Sequence, residues 1–522
     1  MNYLKKYEAG LIFFSSLALF LYGLFGRELI GSEVQFSVLV QEMLHHGVNF
    51  FPGIDSIIPA HFISGLTLLH YLLSIISGRF TVLIAILPSA IASSLCLVLI
   101  YKIALPFSRE WARISVLLAL FTYQFFDAAR SLSLPPLIML TSLWAFYQCL
   151  QNGSSKYLLL ALFFGFILQG RNGFILSSFG VIGFYCAQAE WQKLKYFIMQ
   201  AIILFIALYG LLILAAINHA GAHFAYQVTR AEIFRLIPSV DFFSYSLDAF
   251  MNYALSFQLG VISIFLYLTT GQKKRQEAIL LRSLIFWLAF IFIYLGIVVG
   301  SKISALLPIT PILALFGGYL WLQPQKLAQT TVIFFNLLCL ALPFIAIALT
   351  CATIATTHLR GVVVNAHYFS AFCTLTLFAL LSIFIFCSHP INYGIKYHKR
   401  IIAIGLASFF STMIFVVKPI EVSLNQSRPF AIQVLANRLG NESITFLQMP
   451  PEKEPLLFLA ALPQSSDVKL LFANQINLSP LSQTLYISKS DVFDDLSGDV
   501  KQKLIIVATG ELGHHHMVAF RL

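Results

Sequence analysis

The sequence predicts a polytopic α-helical membrane protein of about thirteen transmembrane helices, with a small external α/β domain at its C-terminal end. Three observations predict it. Of 522 residues, 59% are hydrophobic and only 11% charged, with 50 Phe, too little charge to cover a soluble surface. Apolar runs long enough for a bilayer of about 30 Å recur along the chain. After Lys418 the apolar runs shorten and become rich in β-branched and aromatic residues, the pattern of strands.

The first run, 9–26, follows Lys5 and Lys6 and leads into LFGREL. That is no small-residue cleavage site, so the run is expected to stay as the first helix. A long loop, 27–79, follows. In residues 32–45, Phe36, Leu39, Val40 and Met43 share one helical face, and Glu33, Ser37 and Gln41 share the other. Ser32 suits an N-cap and Gln35 completes a capping box. This predicts a helix lying on the external surface, apolar side toward lipid or protein. Glu33 falls in its first turn, where the helix dipole favours a carboxylate. PAHFISGLTLLHYLLSIISG, 59–78, predicts a second helix.

Spans at 80–101, 111–128 and 134–151 come next. Two short pieces, 157–170 and 173–188, flank QGRNG, and 196–217 precedes a second loop, 218–250. The remaining spans are 252–270, 279–300, 305–322, 330–351, 368–387 and 401–418. Alternate loops differ in basic residues. One set holds Lys5 and Lys6, Lys102 and Arg109, Lys156, Lys193 and Lys195, Lys273 to Arg275, Lys326, and Lys396 to Arg400. The other holds mostly single charges: Arg27, Arg79, Arg130, Arg171, Arg230 and Arg235, Lys302, Arg360. The richer set is cytoplasmic by the positive-inside rule, which puts the N-terminus inside and the C-terminal domain outside. The net charge of +11 belongs to this topology signal and does not imply nucleic acid.

The chain thus divides into a membrane module, 1–418, with external loops 27–79 and 218–250, and an extracytoplasmic domain, 419–522. In the latter SITFLQM, VKLLFA, TLYISKS, KLIIVATG and MVAFRL read as strands, and EPLLFLAAL as a helix. GHHH, 513–516, reads as a solvated turn, because three adjacent residues cannot all face one metal ion from a strand. The seven Cys are scattered with no CxxC and read as small buried apolar residues.

Two external cations stand apart from the rest. Arg171 sits between two apolar runs with Gly170 and Gly173 beside it, and Lys302 precedes Pro308 and Pro311. Such a pair can grip a phosphate at headgroup level, Arg through its planar fork and Lys as a point charge. The plainer reading is that each only anchors its helix at the interface.

These pieces resemble the GT-C glycosyltransferases, in particular bacterial aminoarabinose transferase and protein O-mannosyltransferase-like proteins. SEVQFSVLVQEM (32–43) is similar to the family's external helix D-E-x-R-Y-A-x-x-x-R-E-M, keeping Glu33, Glu42 and Met43. LHHGVNFFP keeps Gly47 and Pro52 of the following segment. LLLALFFGFILQGRNG is similar to G-L-A-F-L-T-K-G-P with Arg171 in the lysine position, and KISALLPITPILAL to K-L-P-Y-I-L-P-x-x-P-L-A with Lys302, Pro308 and Pro311 retained. The resemblance implies transfer of a sugar from a polyprenyl-phosphate donor to a lipid (lipid A, for example), a glycan or a protein, at the periplasmic face of a bacterial inner membrane. It implies a carboxylate that activates the acceptor, and cations, from side chains or a divalent metal, that hold the departing phosphate.

The pattern breaks at its acids. The leading Asp of the D-E pair is Ser32, the motif's Arg is Gln35, the Glu and Lys of F-E-K-P fall at His61 and Phe62, and an Asp opening the fourth span falls near Leu134. Three readings stay open. Glu33 takes the catalytic role with His61 as helper or metal ligand; another external acid such as Asp55 or Asp127 completes the site; or the chain is a degenerate homologue that binds polyprenyl lipid or a partner without transfer.

Overall fold

The structure, a computed structural model, describes residues 2–24, 27–30, 32–49, 51, 65–233, 250–269, 275–297, 306–323, 325–359, 367–388, 398–424, 427–440, 442–450, 454–462, 470–474, 476, 484–513 and 515–521. His61, Asp55 and Lys302, named above as candidates, lie outside the described residues.

Seven described helices are long and apolar enough to cross a membrane, and four shorter apolar helices join them. Helix α1 (Asn2–Leu21) runs beside α4 (Val82–Ala104). Between them lie α2 (Ser32–His46), close to its predicted bounds, and α3 (Gly65–Ser77). Thr81 starts α4 by accepting a hydrogen bond from the Ile84 amide, the expected N-cap device. The predicted span 111–128 is instead two helices, α5 (Arg109–Phe121) and α6 (Tyr123–Ala129). Thr122 between them is extended (φ −74°, ψ 112°), and its hydroxyl bonds Ser256 at 2.7 Å. A β-branched residue with an outside partner is a physical cause for the break. The next helix, α7 (Pro135–Leu150), begins on two prolines, which suit a first turn where amides need no partner.

Helix α8 (Ser155–Gln188) has 34 residues, about 51 Å if straight. It is not straight. Gln169 (φ −144°, ψ 28°) and Gly170 (φ 57°, ψ −138°) break it, and Gly165 and Gly173 lie in contact across the break. Residues eight apart in a straight helix would be about 12 Å apart, so α8 is a tight helical hairpin, matching the two short pieces read from the sequence. Gly170 is needed here because its φ is in the left-handed region. The chain continues as α9 (Trp191–Ile233), broken at Ala220–Gly221; part of the second predicted loop is therefore helical. Then come α10 (Ser256–Thr269), α11 (Arg275–Ile297), α12 (Ile309–Tyr319), α13 (Lys326–Leu359), α14 (Tyr368–Ser388) and α15 (His398–Thr412), the last passing through a π-helical turn into α16 (Lys418–Leu424).

One continuous apolar core joins the bundle, with Trp111, Phe125, Phe146, Trp287 and Phe316 fully buried. Trp111 donates to the Leu315 carbonyl at 2.7 Å, so the large ring is buried without losing its polar bond. Charges gather at the two ends. At one, Glu8 accepts from Tyr101 (2.8 Å) and Arg109 (2.9 Å). At the other are Arg27, Glu33, Asp127, Arg130 and Lys418.

Beyond α16 the chain builds a five-stranded sheet in the order β2-β1-β3-β5-β4. Its strands are β1 (Ser443–Leu447), β2 (Leu470–Ala473), β3 (Thr484–Lys489), β4 (Ile505–Leu512) and β5 (His515–Arg521). β2, β1 and β3 are parallel, and β5 is antiparallel to both β3 and β4. Two helices, α17 (Arg428–Ala436) and α18 (Glu454–Ala461), close its core around Phe430, Phe446 and Phe458. Each strand coincides with a run read from the sequence. The GHHH run lies at the β4–β5 turn, entered by Gly513 at φ +65°, and its last two histidines already pair in the ladder with Leu512 and Glu511.

Candidate functional site

The site is built on how α2 is held. Most of its predicted polar face does not meet water: Glu33 is 3% exposed and Ser37 1%, while Gln41 is half-buried. Both Glu33 oxygens are occupied. Oε1 accepts from Arg27 Nη2 at 3.0 Å and the Leu132 amide at 2.9 Å, and Oε2 from Arg27 Nη2 at 3.1 Å and the Ile30 amide at 3.0 Å. The carboxylate thus ties the start of α2 to the loop between α6 and α7. Burial pushes the Glu33 carboxyl above its ordinary value, against the pull of Arg27 and the two amides.

Arg27 also donates to the Arg130 carbonyl. Arg130 in turn gives one Nη1 to the carbonyls of Leu19 (3.0 Å), Phe20 (3.2 Å) and Tyr22 (2.8 Å). It thereby caps the end of α1, whose last carbonyls have no partner within the helix. The two isolated arginines in the sparse loops are therefore structural groups. The sequence signal was there, single charges at span ends, but apart from the Arg27–Glu33 pair, six residues apart, the contacts join residues more than a hundred positions apart and could not be read from spacing.

Beside this lock sits a second cluster. Lys418, whose side chain is 8% exposed, binds Asp127 and, at 2.6 Å, Glu421. The Asp127 side chain is 26% exposed. Asp127 is not on one helix with Leu134, because the chain leaves helical geometry at Arg130 and restarts at Pro135.

Arg171 lies at the tip of the α8 hairpin. Its Nη2 is 3.5 Å from Asn172 Oδ1, which also accepts from the Tyr294 hydroxyl at 2.6 Å. The tip is at the Glu33 end of the bundle, since α7 starts there and the first arm of α8 returns antiparallel to it. Gly65 at the start of α3 packs directly on Ile167 below the tip, so closely that a Cβ would collide with it. Phe51, after α2, packs against the rings of His219 and Phe224 at the break in α9. The two predicted external loops thus meet at this end. Among the described residues no group of three His, Cys, Asp or Glu could hold a metal ion.

The C-terminal domain covers α2. Val34, Val38 and Leu39 pack on Leu456, Leu457 and Leu459 of α18, while Val40 belongs to the bundle core. Glu28 Oε2 accepts from the Ser427 and Arg428 amides at the start of α17, 3.2 and 3.4 Å, a carboxylate on a helix N-terminus.

Known proteins fit this geometry. The family model for dolichyl-phosphate-mannose-protein mannosyltransferases matches residues 65–216. The crystal structure of ArnT from Cupriavidus metallidurans in the apo state aligns with a TM-score of 0.68 at 13% identity, covering 98% of this chain and 97% of that one. ArnT from the same organism bound to undecaprenyl phosphate aligns with a TM-score of 0.65 at 12% identity and the same coverage. No curated protein sequence matches the chain. The chain shares the fold of these ArnT structures, with multiple apolar helices and a small C-terminal sheet.

Proposed function

We propose that the chain transfers a sugar from a polyprenyl-phosphate donor to a lipid, glycan or protein acceptor at the external membrane face. That face is the Glu33 end, on the periplasmic side of a bacterial inner membrane. The observation that carries this is the agreement of nearly the whole chain with a solved fold that in one structure holds undecaprenyl phosphate. A lipid-borne donor suits the architecture: an isoprenoid lies among helices while its phosphate stays at headgroup level.

In this reading Arg171 and Lys302 hold the donor phosphate. A hairpin tip is a suitable mount for Arg171, because both arms are packed and hold the turn that carries it. Glu33, the candidate catalytic carboxylate, serves the reaction through position. With four hydrogen-bond contacts from Arg27, Ile30 and Leu132 filling its oxygens, it fixes α2 against the α6–α7 loop and leaves no lone pair aimed at an acceptor. A base must be within hydrogen-bond reach of the proton it removes. The partly exposed Asp127 is the described external carboxylate that meets this requirement better. His61 is the candidate for a metal, should the reaction use one.

The test is transfer from a radiolabelled polyprenyl-phosphate sugar by the wild type and by Arg171→Ala, Asp127→Asn and Glu33→Gln. Arg171→Ala and Asp127→Asn should each lower transfer by about 100-fold. The saturated Glu33 and the missing acid at Ser32 favour one second reading, a relative that binds the donor without transfer. Donor binding with no product from the wild type would establish it.

A further inference from the structure

At the end of the bundle opposite Glu33, where α8 returns to α9, the surface holds a groove of about 340 Å³. It lies between Ser155 and Leu158 at the start of α8, Tyr185 near its end, and Lys193, Tyr196 and Gln200 on the first turns of α9. Two features of its lining call for a ligand. Gln200 Oε1 is buried without a hydrogen-bond partner among the described residues, in a helix otherwise facing outward: only 17% of the apolar stretch of α9 is buried inside the protein. An amide oxygen in such a place costs free energy until a donor reaches it. Lys193, exposed and paired with Glu190 at 3.0 Å, stands at the mouth. An exposed pair of this kind is weak and yields to a better anion.

The surroundings fix the depth. Trp191, Tyr196 and Tyr157 are exposed at 63%, 57% and 51%, as aromatic side chains are at a membrane–water boundary. Below them Met199, Ile202 and Ile206 face outward. With Lys156, Lys193 and Lys195 against Glu190, this corner is cationic overall.

We propose that this groove is a site for one anionic glycerophospholipid of the phosphatidylglycerol class, in the leaflet opposite the transfer site. Lys193 meets the phosphodiester and Gln200 Oε1 accepts a hydroxyl of the head glycerol, while the acyl chains lie along the outward face of α9. A choline head supplies no donor for Gln200, and an ethanolamine head leaves the cationic corner unbalanced. This site is independent of the proposed transfer.

The test is native mass spectrometry of the full chain released from nanodiscs made of equal parts phosphatidylglycerol, phosphatidylethanolamine and phosphatidylcholine. The wild type is expected to retain phosphatidylglycerol about five-fold over either other lipid, about one hydrogen bond's worth of selectivity. Gln200→Leu, a near-isosteric change at a half-buried position, and Lys193→Ala, at an exposed one, should bring the ratio near one, and Lys193→Arg should keep it. Equal retention of the three lipids by the wild type, or selectivity unchanged in both loss variants, would overturn the site.

Discussion

Glu33 shows how a residue legible by type sits in an environment that its type alone does not reveal. The spacing placed it correctly in the first turn of a helix, and a helix-dipole partner was one reading. What fixed its environment is Arg27, six residues before it and 8% exposed at the side chain, together with an amide 99 residues away, which no local pattern encodes. The consequence can be measured. Glu33→Gln leaves the Arg27 guanidinium buried without its counter-charge and turns an amide NH₂ toward N–H donors. Breaking a buried pair in this way costs about 3–5 kcal/mol. Trypsin should therefore cut at Arg27 far faster in Glu33→Gln than in the wild type, under conditions where the bundle stays folded. Equal cleavage rates would mean that the lock carries little of the docking energy.

At the scale of elements, the sequence was most informative where chemistry is local. Runs of β-branched and aromatic residues marked all five strands. A glycine on each side of Arg171 marked the α8 turn, because only a left-handed residue and close-packed small residues let two helices reverse so tightly. Less legible were the break at Thr122, which depends on Ser256 from a distant helix, and the orientation of α2, whose polar face turns inward to Arg27. The hairpin makes a clear prediction. A Cβ on Gly173 would overlap the Gly165 carbonyl, so Gly173→Val should force the arms apart at a cost of about 1–3 kcal/mol and displace Arg171. The expected readout is a lower thermal midpoint in detergent together with weaker binding of a polyprenyl phosphate. In Gly210→Val, where a Cβ meets nothing within 4 Å, both should stay near wild type.

Over the whole molecule, the question is what holds the C-terminal domain against α2, and Glu454 offers a handle. It opens α18, the helix whose leucines cover Val34 and Val38. It is 2% exposed and binds Lys489 of β3 at 2.8 Å and His515 of β5 at 3.3 Å. The helix that docks on α2 is thus tied to the sheet by one carboxylate. Burial pushes that carboxyl up, but the Lys489 hydrogen bond, its own amide and the charges of Lys489 and His515 prevail, so it lies below the ordinary value. A carboxyl with a lowered folded pKa contributes stability that is fully present above its unfolded value, about 4.3, and is lost as the pH falls through the folded value. Hydrogen exchange of 454–462, corrected for the intrinsic rate, should accordingly be flat from neutral pH to about 5 and rise below about 4. Exchange in 34–43 should rise with it, because α2 loses its cover. Glu454→Gln should show the raised exchange already at neutral pH, by about 1–2 kcal/mol with Lys489 partly solvated. If 454–462 loosens while 34–43 does not, the apolar contact between α18 and α2 holds the domain without Glu454, and the docking is hydrophobic rather than electrostatic in origin.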